Sequence, residues 1–348
     1  MTSSATGLPQ AGNAAGGWQA ELCERGALAV GPRSVSFWDP QTERELLSTA
    51  PTVHPLSDWA VLRVAGADAK AFLQSQLASD VELVGPGGGQ LSTYCTAQGR
   101  VLASLFLWHE SSGYLLHLPE DIAHGVRDRL QRYVLRAKVV LTDATDAVRV
   151  FGLGGPDSAT ALRGLAGTPP EAAMSLAQGP AATVIRLGKE LFLVAVPREH
   201  WTRAWDQLVA VARPAGTQAW TWRLIRVGIP MVTAATQEQF VPQMLNLEQL
   251  GAVSFTKGCY PGQEIVARAQ HRGEVKRRLF RLHADSGTPR PAEGVFRPGE
   301  SAPCGTVVNA APAPAGGHDL LAVLLSDAAG APSLHLGNPD GPTLHACS

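Results

Sequence analysis

The chain has 348 residues, of which 45% are hydrophobic and 17% charged, a composition typical of a soluble folded protein with two or three domains. Its net charge of −1 and isoelectric point near 6.8 exclude a general attraction to nucleic acid or anionic membranes, so a polyanion would have to bind a local basic patch. The five cysteines include no C-x-x-C pair, and no apolar run reaches about 18 residues. We therefore expect a cytoplasmic protein without disulfides, a zinc site or a transmembrane helix.

The first part of the chain alternates strand-like and helix-like patterns. The predicted elements are a flexible tail over 1–17, a strand over 59–64, a helix capped by Asp68, a loop over 85–90, a hairpin over 91–109 that turns at Gln98-Gly99, a strand over 114–118 and a helix over 119–136. The final helix is indicated by apolar residues that recur at intervals of four.

The second part predicts a further module and an all-β end. Its elements are a strand over 148–155, a helix from about residue 157, a strand pair over 182–197, a helix over 201–211, a linker over 213–217 and strand-like pieces from 275 onward. This order predicts an α+β fold rather than a doubly wound parallel sheet. The predicted domains are residues 18–145 rejoined by 216–270, an inserted α+β module over 146–215, and a β-barrel-like domain over 275–348.

Several common catalytic motifs are absent. The segment FGLGGP resembles a dinucleotide-binding loop, but the third glycine of that motif falls on Asp157 and Pro156 lies inside the turn. Neither a Walker A loop nor a G-x-S-x-G nucleophile elbow occurs. The usual nucleotide hydrolase and serine hydrolase functions are therefore disfavoured.

The most informative segment is KGCYPGQE, residues 257–264. Lys257 and Cys259 lie on a predicted loop, Gly262 permits a tight turn, and a helix begins close behind them. A cysteine near a lysine and a helix N-terminus is a candidate reactive thiolate, with Lys257 as its electrostatic support. The alternative is a half-buried cysteine that packs as a small hydrophobic residue.

This octapeptide resembles the signature of the YgfZ family, and Asn246-Leu247, 251–255 and 266–268 extend the match. The resemblance implies a folate-binding protein connected with iron–sulfur cluster assembly and tRNA modification. It also implies the GcvT-like fold of the glycine-cleavage aminomethyltransferases, which would make the first domain the tetrahydrofolate-binding domain. The three predicted parts would together surround a central channel.

The resemblance also implies which side chains meet tetrahydrofolate. Trp59 and Trp220 match the two tryptophans that flank the family's folate site, and indole rings stack well on flat pterin rings. Gln263, Glu264 and Arg268 are the further candidate ligands. Each tryptophan has the alternative of being an ordinary core residue, because the chain contains eight.

Two departures from the related enzymes affect the expected chemistry. The hairpin that carries paired acids in those enzymes has Ala103 and Ser104 here, so conventional aminomethyl transfer is not expected. A glutamate that holds the pterin in the enzymes is replaced by Arg226, which cannot accept a hydrogen bond. Another acid must substitute, or folate must bind differently or weakly.

Basic residues concentrate between 268 and 281, where six arginines and lysines face one acid, Glu274. This patch is a candidate surface for a folate polyglutamate tail, RNA or an acidic partner, and its alternative is a solvated face. We expect a folate-dependent factor that supports iron–sulfur proteins or their assembly machinery, with chemistry centred on Cys259. The alternatives are a tetrahydrofolate-dependent aminomethyltransferase or demethylase, and a protein- or RNA-binding adaptor on an inherited fold.

Overall fold

The computed structural model describes residues 17–271, 275–331 and 333–347, and it combines two open sheets, a closed barrel and surrounding helices. The predicted α+β class and the C-terminal barrel are confirmed. The predicted tail lies almost wholly outside the described residues. Among those described, no helix is both long and apolar enough to cross a membrane.

The first sheet is antiparallel throughout and has five strands. In spatial order they are Gly89–Cys95, Val101–Glu110, Gly113–Pro119, Trp59–Ala65 and Val140–Asp143. Alternation along Trp59–Ala65 sends Leu62 and Val64 into one core and Trp59 and Val61 into another. Helices Ala69–Gln76 and Glu120–Gln131 bury their apolar stripes in the core that contains Leu62.

The second sheet takes strands from distant parts of the sequence. In spatial order they are Leu176–Gln178, Thr183–Gly188, Leu191–Pro197, Val148–Gly154, Thr52–Pro55 and Arg213–Pro214. Helices Gly17–Cys23, Trp201–Val209 and the short helices Ser158–Ala161 and Arg163–Ala166 pack their apolar residues with this sheet. The strand Thr52–Pro55 belongs to the predicted first domain in sequence but pairs with Val148–Gly154 in the second sheet. The chain therefore crosses between the two sheets.

The C-terminal segment closes into a six-stranded barrel. Around the barrel the strands are Arg277–Ala284, His318–Leu325, Gly305–Pro312, Gly294–Phe296, Leu334–Leu336 and Thr343–Ala346. Leucine, valine and alanine side chains fill its interior. Closure pairs the edge strands with each other, which leaves no open sheet edge.

Shorter elements connect these units. They are the strand pair Leu28–Ala29 and Val35–Ser36, helices Pro40–Thr49, Thr217–Arg226 and Gln263–His271, and 3₁₀ turns Val81–Leu83, Arg198–His200 and Pro242–Leu245. Helix Pro40–Thr49 is capped by Asp39, whose side chain accepts hydrogen bonds from two first-turn amides. Helix Gln263–His271 follows the predicted loop.

Two local predictions are wrong and a third holds only in part. The predicted linker over 213–217 contains strand Arg213–Pro214, which pairs in parallel with Thr52 and Val53. The helix predicted over 119–136 ends at Gln131, after which the Tyr133 and Val134 amides bond carbonyls three residues earlier, and the φ of +44° at Leu135 excludes a helix as far as 136. Asp68 is the N-cap residue of helix Ala69–Gln76, as predicted, but its side chain bonds no amide of that helix and accepts instead from the Lys138 amide at 2.7 Å.

Candidate functional site

A cavity of about 380 Å³ lies where the first sheet, helix Thr217–Arg226 and the barrel meet. Its volume falls in the range of about 300–1,000 Å³ that small-molecule sites occupy. Its lining residues are Pro32, Arg33, Ser34, Asp58, Trp59, Pro119, Glu120, Asp121, Thr221, Leu224, Ile225, Ile229, Met231, Thr233, Pro291, Asn309 and Ala310. The walls are mainly apolar, with charged groups confined to one side.

Trp59 forms part of the wall contributed by the first sheet, as its predicted role requires. Its ring stacks on His117, with the ring centroids 4.8 Å apart, and Phe106 lies behind it. His117 is fully buried, and burial lowers the pKa of its imidazole to about 3, so the ring is neutral. An uncharged stack therefore holds the indole at the cavity.

The charged side of the cavity is built by strand pairing. Trp59 pairs with Pro119, and the Glu120 amide donates to the Asp58 carbonyl, which brings Asp58 beside Glu120 and Asp121. Arg33 forms an ion pair with Glu120 at 3.4 Å. Burial, and secondarily the charges of Asp121 and Glu120, raise the pKa of the Asp58 carboxyl to about 7.

Helix Thr217–Arg226 presents three different faces to its surroundings. Thr221, Leu224 and Ile225 line the cavity at helical spacing. Trp220 and Arg223 turn instead toward the second sheet, where Arg223 donates to Thr52 at 2.8 Å. A third face carries Trp222, whose indole donates to Asp319 of the barrel at 2.8 Å.

Trp220 does not line the cavity. It is completely buried, 5.8 Å from the His54 ring, and its ring lies so close to Gly152 that a Cβ there would approach a ring carbon to 2.2 Å. The predicted folate contact of Trp220 stays a prediction. Arg226 is also absent from the lining residues, and its guanidinium lies over the Trp222 ring, 5.9 Å from the centroid.

The Ser104 hydroxyl hydrogen-bonds the backbone of residues 230–232, a segment that runs beside the cavity. It donates to the Pro230 carbonyl at 2.8 Å and accepts from the Val232 amide at 3.0 Å. Asn309 of the barrel bonds both the amide and the carbonyl of Met231. These side chains hold the segment that carries Ile229 and Met231, and Ser104 supplies no carboxylate.

Lys257 anchors the cysteine loop, which we define as residues 257–262. Its ammonium donates to the carbonyls of Gln74, Leu77 and Ser79 at 2.6–2.7 Å. Burial lowers the pKa of this lysine to about 8, so it remains mostly protonated at pH 7. The lysine is thus engaged with the end of helix Ala69–Gln76.

The other end of the cysteine loop is fixed by close backbone contact. Gly262 has a φ of +83°, and a Cβ there would approach the Thr96 carbonyl oxygen to 2.4 Å, so only glycine fits. Tyr260 is buried, whereas Cys259 is exposed. The predicted loop position of Cys259 is correct, but no residue of the cysteine loop lines the cavity.

The remaining candidate ligands lie on helix Gln263–His271. Gln263 is half-buried, while Glu264 and Arg268 are exposed and form an ion pair at 3.1 Å. None of the three lines the cavity, so their role in folate binding stays a prediction. These three residues lie on the helix that follows the cysteine loop, whereas Trp59 lies in the cavity wall.

The basic patch over 268–281 is partly neutralised by its neighbours. Besides the Arg268 pair, Arg278 bonds Glu248, and Arg281 donates to the Arg226 carbonyl at 2.8 Å. Arg272 and Glu274 lie outside the described residues. The patch's predicted binding of RNA or a polyglutamate tail stays a prediction.

Comparison with known proteins identifies the family. The family described as the GCVT N-terminal domain matches residues 32–257. The tRNA-modifying protein YgfZ of Yersinia pseudotuberculosis serotype O:1b (strain IP 31758) is 32% identical over 245 residues, which is 70% of this chain and 74% of the relative. The chain belongs to the YgfZ family.

A second YgfZ relative extends the match. The tRNA-modifying protein YgfZ of Serratia proteamaculans (strain 568) is 32% identical over 265 residues, 75% of this chain and 80% of its own. The crystal structure of the glycine cleavage aminomethyltransferase T from Bartonella henselae superposes with a TM-score of 0.76 at 17% identity, covering 94% of this chain and 95% of that one. The predicted GcvT-like fold of this YgfZ-family chain is confirmed.

Asp58 and Asn309 are cavity residues that sequence reasoning overlooked. Asp58 could have been found from the sequence, since it is an acid directly before Trp59 at the start of a buried strand. Asn309 had none, because its place at the cavity depends on how the barrel packs against residues 229–233.

Proposed function

We propose that this protein binds a reduced folate in the central cavity and supports iron–sulfur enzymes, including those that modify tRNA. The observation that carries the proposal is a ligand-sized cavity walled by Trp59 in a chain of the YgfZ family. The names of the relatives support the connection with tRNA, and the aminomethyltransferase fold supports the connection with folate.

The residues of the cavity suit a reduced folate. Trp59, Leu224, Ile225 and Met231 offer flat or aliphatic surface for the pterin and aminobenzoyl rings, while Asp58 offers a hydrogen-bond acceptor. A bound reduced folate would supply ring nitrogens able to carry a one-carbon unit. The chain's own contribution is to bind and orient that molecule.

Ser104 supports a function other than conventional aminomethyl transfer. Its hydroxyl already bonds two backbone groups, and its neighbour Ala103 is fully buried and apolar. The hairpin therefore provides neither a general base nor an anion to stabilise a developing positive charge. Aminomethyl transfer would have to use a carboxylate from elsewhere in the cavity.

Cys259 is the residue proposed to act on client proteins. It is exposed, and its loop is held by Lys257 at one end and Gly262 at the other. A single exposed thiolate can contribute one ligand to a cluster shared with a partner. Lys257 then acts as a positioning residue.

The folate half of the proposal is tested by anaerobic calorimetric titration with tetrahydrofolate. We expect saturable micromolar binding that weakens at least tenfold in Trp59→Ala, because the variant loses the aromatic wall. Trp38→Ala is the matched control, since Trp38 is exposed and does not line the cavity. Absence of binding by the parent protein, or equal loss in both variants, would contradict the proposal.

The iron–sulfur half is tested in a strain that lacks the gene. Complementation with the parent chain should restore modified tRNA nucleosides that depend on iron–sulfur enzymes, measured by mass spectrometry, whereas Cys259→Ser should restore less than a tenth. Cys23→Ser is the matched control, because Cys23 is the other exposed cysteine among the described residues. Full restoration by Cys259→Ser would remove Cys259 from the function.

The adaptor alternative makes a different prediction. Salt-dependent RNA binding that disappears in the double variant Arg277→Gln/Arg278→Gln, without tetrahydrofolate binding, would favour a nucleic-acid-binding role for the basic patch. The ion pair between Arg278 and Glu248 reduces the charge that this surface offers to phosphate.

A further inference from the structure

Asp58 is a cavity residue whose hydrogen bonding is incomplete. Its Oδ1 atom is buried and has no hydrogen-bond partner among the described residues, although the residue lines the cavity beside Trp59. Buried polar atoms in folded proteins nearly always have a partner, so an unpaired one in a cavity wall is a candidate contact for a small molecule. An ionised carboxylate has only acceptor sites, so a molecule that contacts it must present hydrogen-bond donors.

The surroundings of Asp58 offer it no cation. The charged groups facing this part of the cavity are Glu120 and Asp121 from the start of helix Glu120–Gln131, and Arg33 from the N-terminal segment. Arg33 is paired with Glu120, and Asp121 accepts from the Ala234 amide at 2.9 Å. Among the described residues, no cation therefore pairs with Asp58, which lines the cavity with an unpaired carboxylate oxygen.

Arg226 does not interfere with this site. It projects from a different face of its helix, over Trp222 and away from the cavity lining. The helix that borders the cavity contributes only Thr221, Leu224 and Ile225, none of which can act as a charged acceptor. A charged acceptor for a donor edge must then come from the sheet side of the cavity, where Asp58 lies.

We propose that Asp58 binds the pyrimidine edge of a pterin, accepting parallel hydrogen bonds from its 2-amino group and N3–H while Trp59 borders the ring. This inference rests on the proposed folate function and assigns the acceptor that the replacement by Arg226 leaves missing. A carboxylate matches two adjacent N–H donors in geometry and in charge, which makes the pair stronger than neutral hydrogen bonds.

Binding should depend on pH in a defined direction. The carboxyl of Asp58 has its pKa raised to about 7, and only the ionised form presents acceptors to both donors. Protons therefore compete with the ligand for the Asp58 carboxylate. Tetrahydrofolate affinity should be about tenfold weaker at pH 6 than at pH 8, because the ionised fraction falls by about that factor.

The test is anaerobic calorimetric titration of the full chain with tetrahydrofolate between pH 6 and pH 8. Asp58→Asn keeps the shape but replaces one acceptor by a donor, so we expect at least tenfold weaker binding at pH 8 and a flat pH profile. Asp128→Asn is the matched control, because it makes the same change on an exposed part of helix Glu120–Gln131. It should bind within about twofold of the parent.

A pair of fragments tests the geometry directly. Pterin and lumazine differ at position 2, where lumazine carries a carbonyl in place of the amino group. The parent protein should prefer pterin, and Asp58→Asn should lose the preference, as coupling between the two groups requires. Equal preference in both proteins would exclude pairing between Asp58 and the amino group.

The outcomes separate this inference from the function on which it rests. Tetrahydrofolate binding that is unchanged in Asp58→Asn, or a flat pH profile in the parent protein, overturns the role of Asp58 and leaves the folate function standing. No binding by the parent protein at any pH overturns both. The parent profile requires no variant, so the test does not depend on the folding of Asp58→Asn.

Discussion

Burial acts in opposite directions on two titratable residues around Trp59. It lowers the pKa of His117 to about 3 and raises that of Asp58 to about 7, in both cases by disfavouring the charged form. The indole consequently lies beside a neutral imidazole and an acid that changes charge near neutral pH. A flat, uncharged ring system is the ligand type that such a wall accommodates.

The raised pKa of Asp58 also predicts how the stability of the protein depends on pH. Because the pKa of Asp58 is raised on folding from about 3.9, its contribution to the free energy of unfolding is full below pH 4 and is lost as pH rises through about 7. Asp58→Asn removes this dependence. The melting temperature of the variant should exceed that of the parent by about 2–4 °C at pH 8, with the difference shrinking toward pH 5.

Thermal unfolding followed by circular dichroism at pH 5, 6, 7 and 8 measures this difference. Asp206→Asn is the control here, because Asp206 is exposed and pairs with Arg25, which stays charged over this range, so its difference from the parent should not vary with pH. A difference for Asp58→Asn that stays constant, or grows toward acid, would show that the carboxyl is not destabilised by burial.

Among the elements, the cysteine loop and helix Ala69–Gln76 depend on each other. The last carbonyls of a helix have no partner within it, and Lys257 supplies hydrogen bonds to Gln74 and Leu77. A positive charge at that end also opposes the helix dipole favourably. One lysine thus completes the helix and fixes the loop that presents Cys259.

Replacing Lys257 should affect both helix Ala69–Gln76 and the cysteine loop. Lys257→Met keeps the aliphatic length but leaves three carbonyl oxygens without their donor, so we expect a loss of about 3 kcal/mol in the free energy of unfolding. Urea denaturation measures that loss, with exposed Lys276 as the control in Lys276→Met. Cys259 should also react faster with a thiol reagent in Lys257→Met, because the cysteine loop loses its anchor. Equal stability and equal labelling rates in the two variants would refute the anchoring role.

At the scale of the whole molecule, the sequence predicted what local patterns determine. The hairpin that turns at Gln98-Gly99, the helix starting near Glu120 and the cysteine loop all follow from residue spacing and turn chemistry. The family resemblance predicted the fold. Strand Arg213–Pro214 was missed because two residues carry no periodicity, and their strand exists only through pairing with Thr52 and Val53.

The site was only partly predictable for the same reason. Trp59 could be placed because it begins a recognisable strand, whereas Trp220 and Leu224 belong to different faces of a helix whose neighbours the sequence does not reveal. Helical spacing alone indicates that Trp220 differs in direction from Ile225. It cannot say which of the two faces a cavity, because that depends on sheet and barrel packing.

The barrel's share in the cavity has a consequence for synthesis of the chain on the ribosome. Asn309 and Ala310 form part of the wall, and Asn309 fixes Met231. The cavity therefore remains open until the barrel strand Gly305–Pro312 has been translated, long after Trp59. A small molecule that needs the closed cavity cannot guide the nascent first sheet, and it meets a binding site only after that barrel strand has been made.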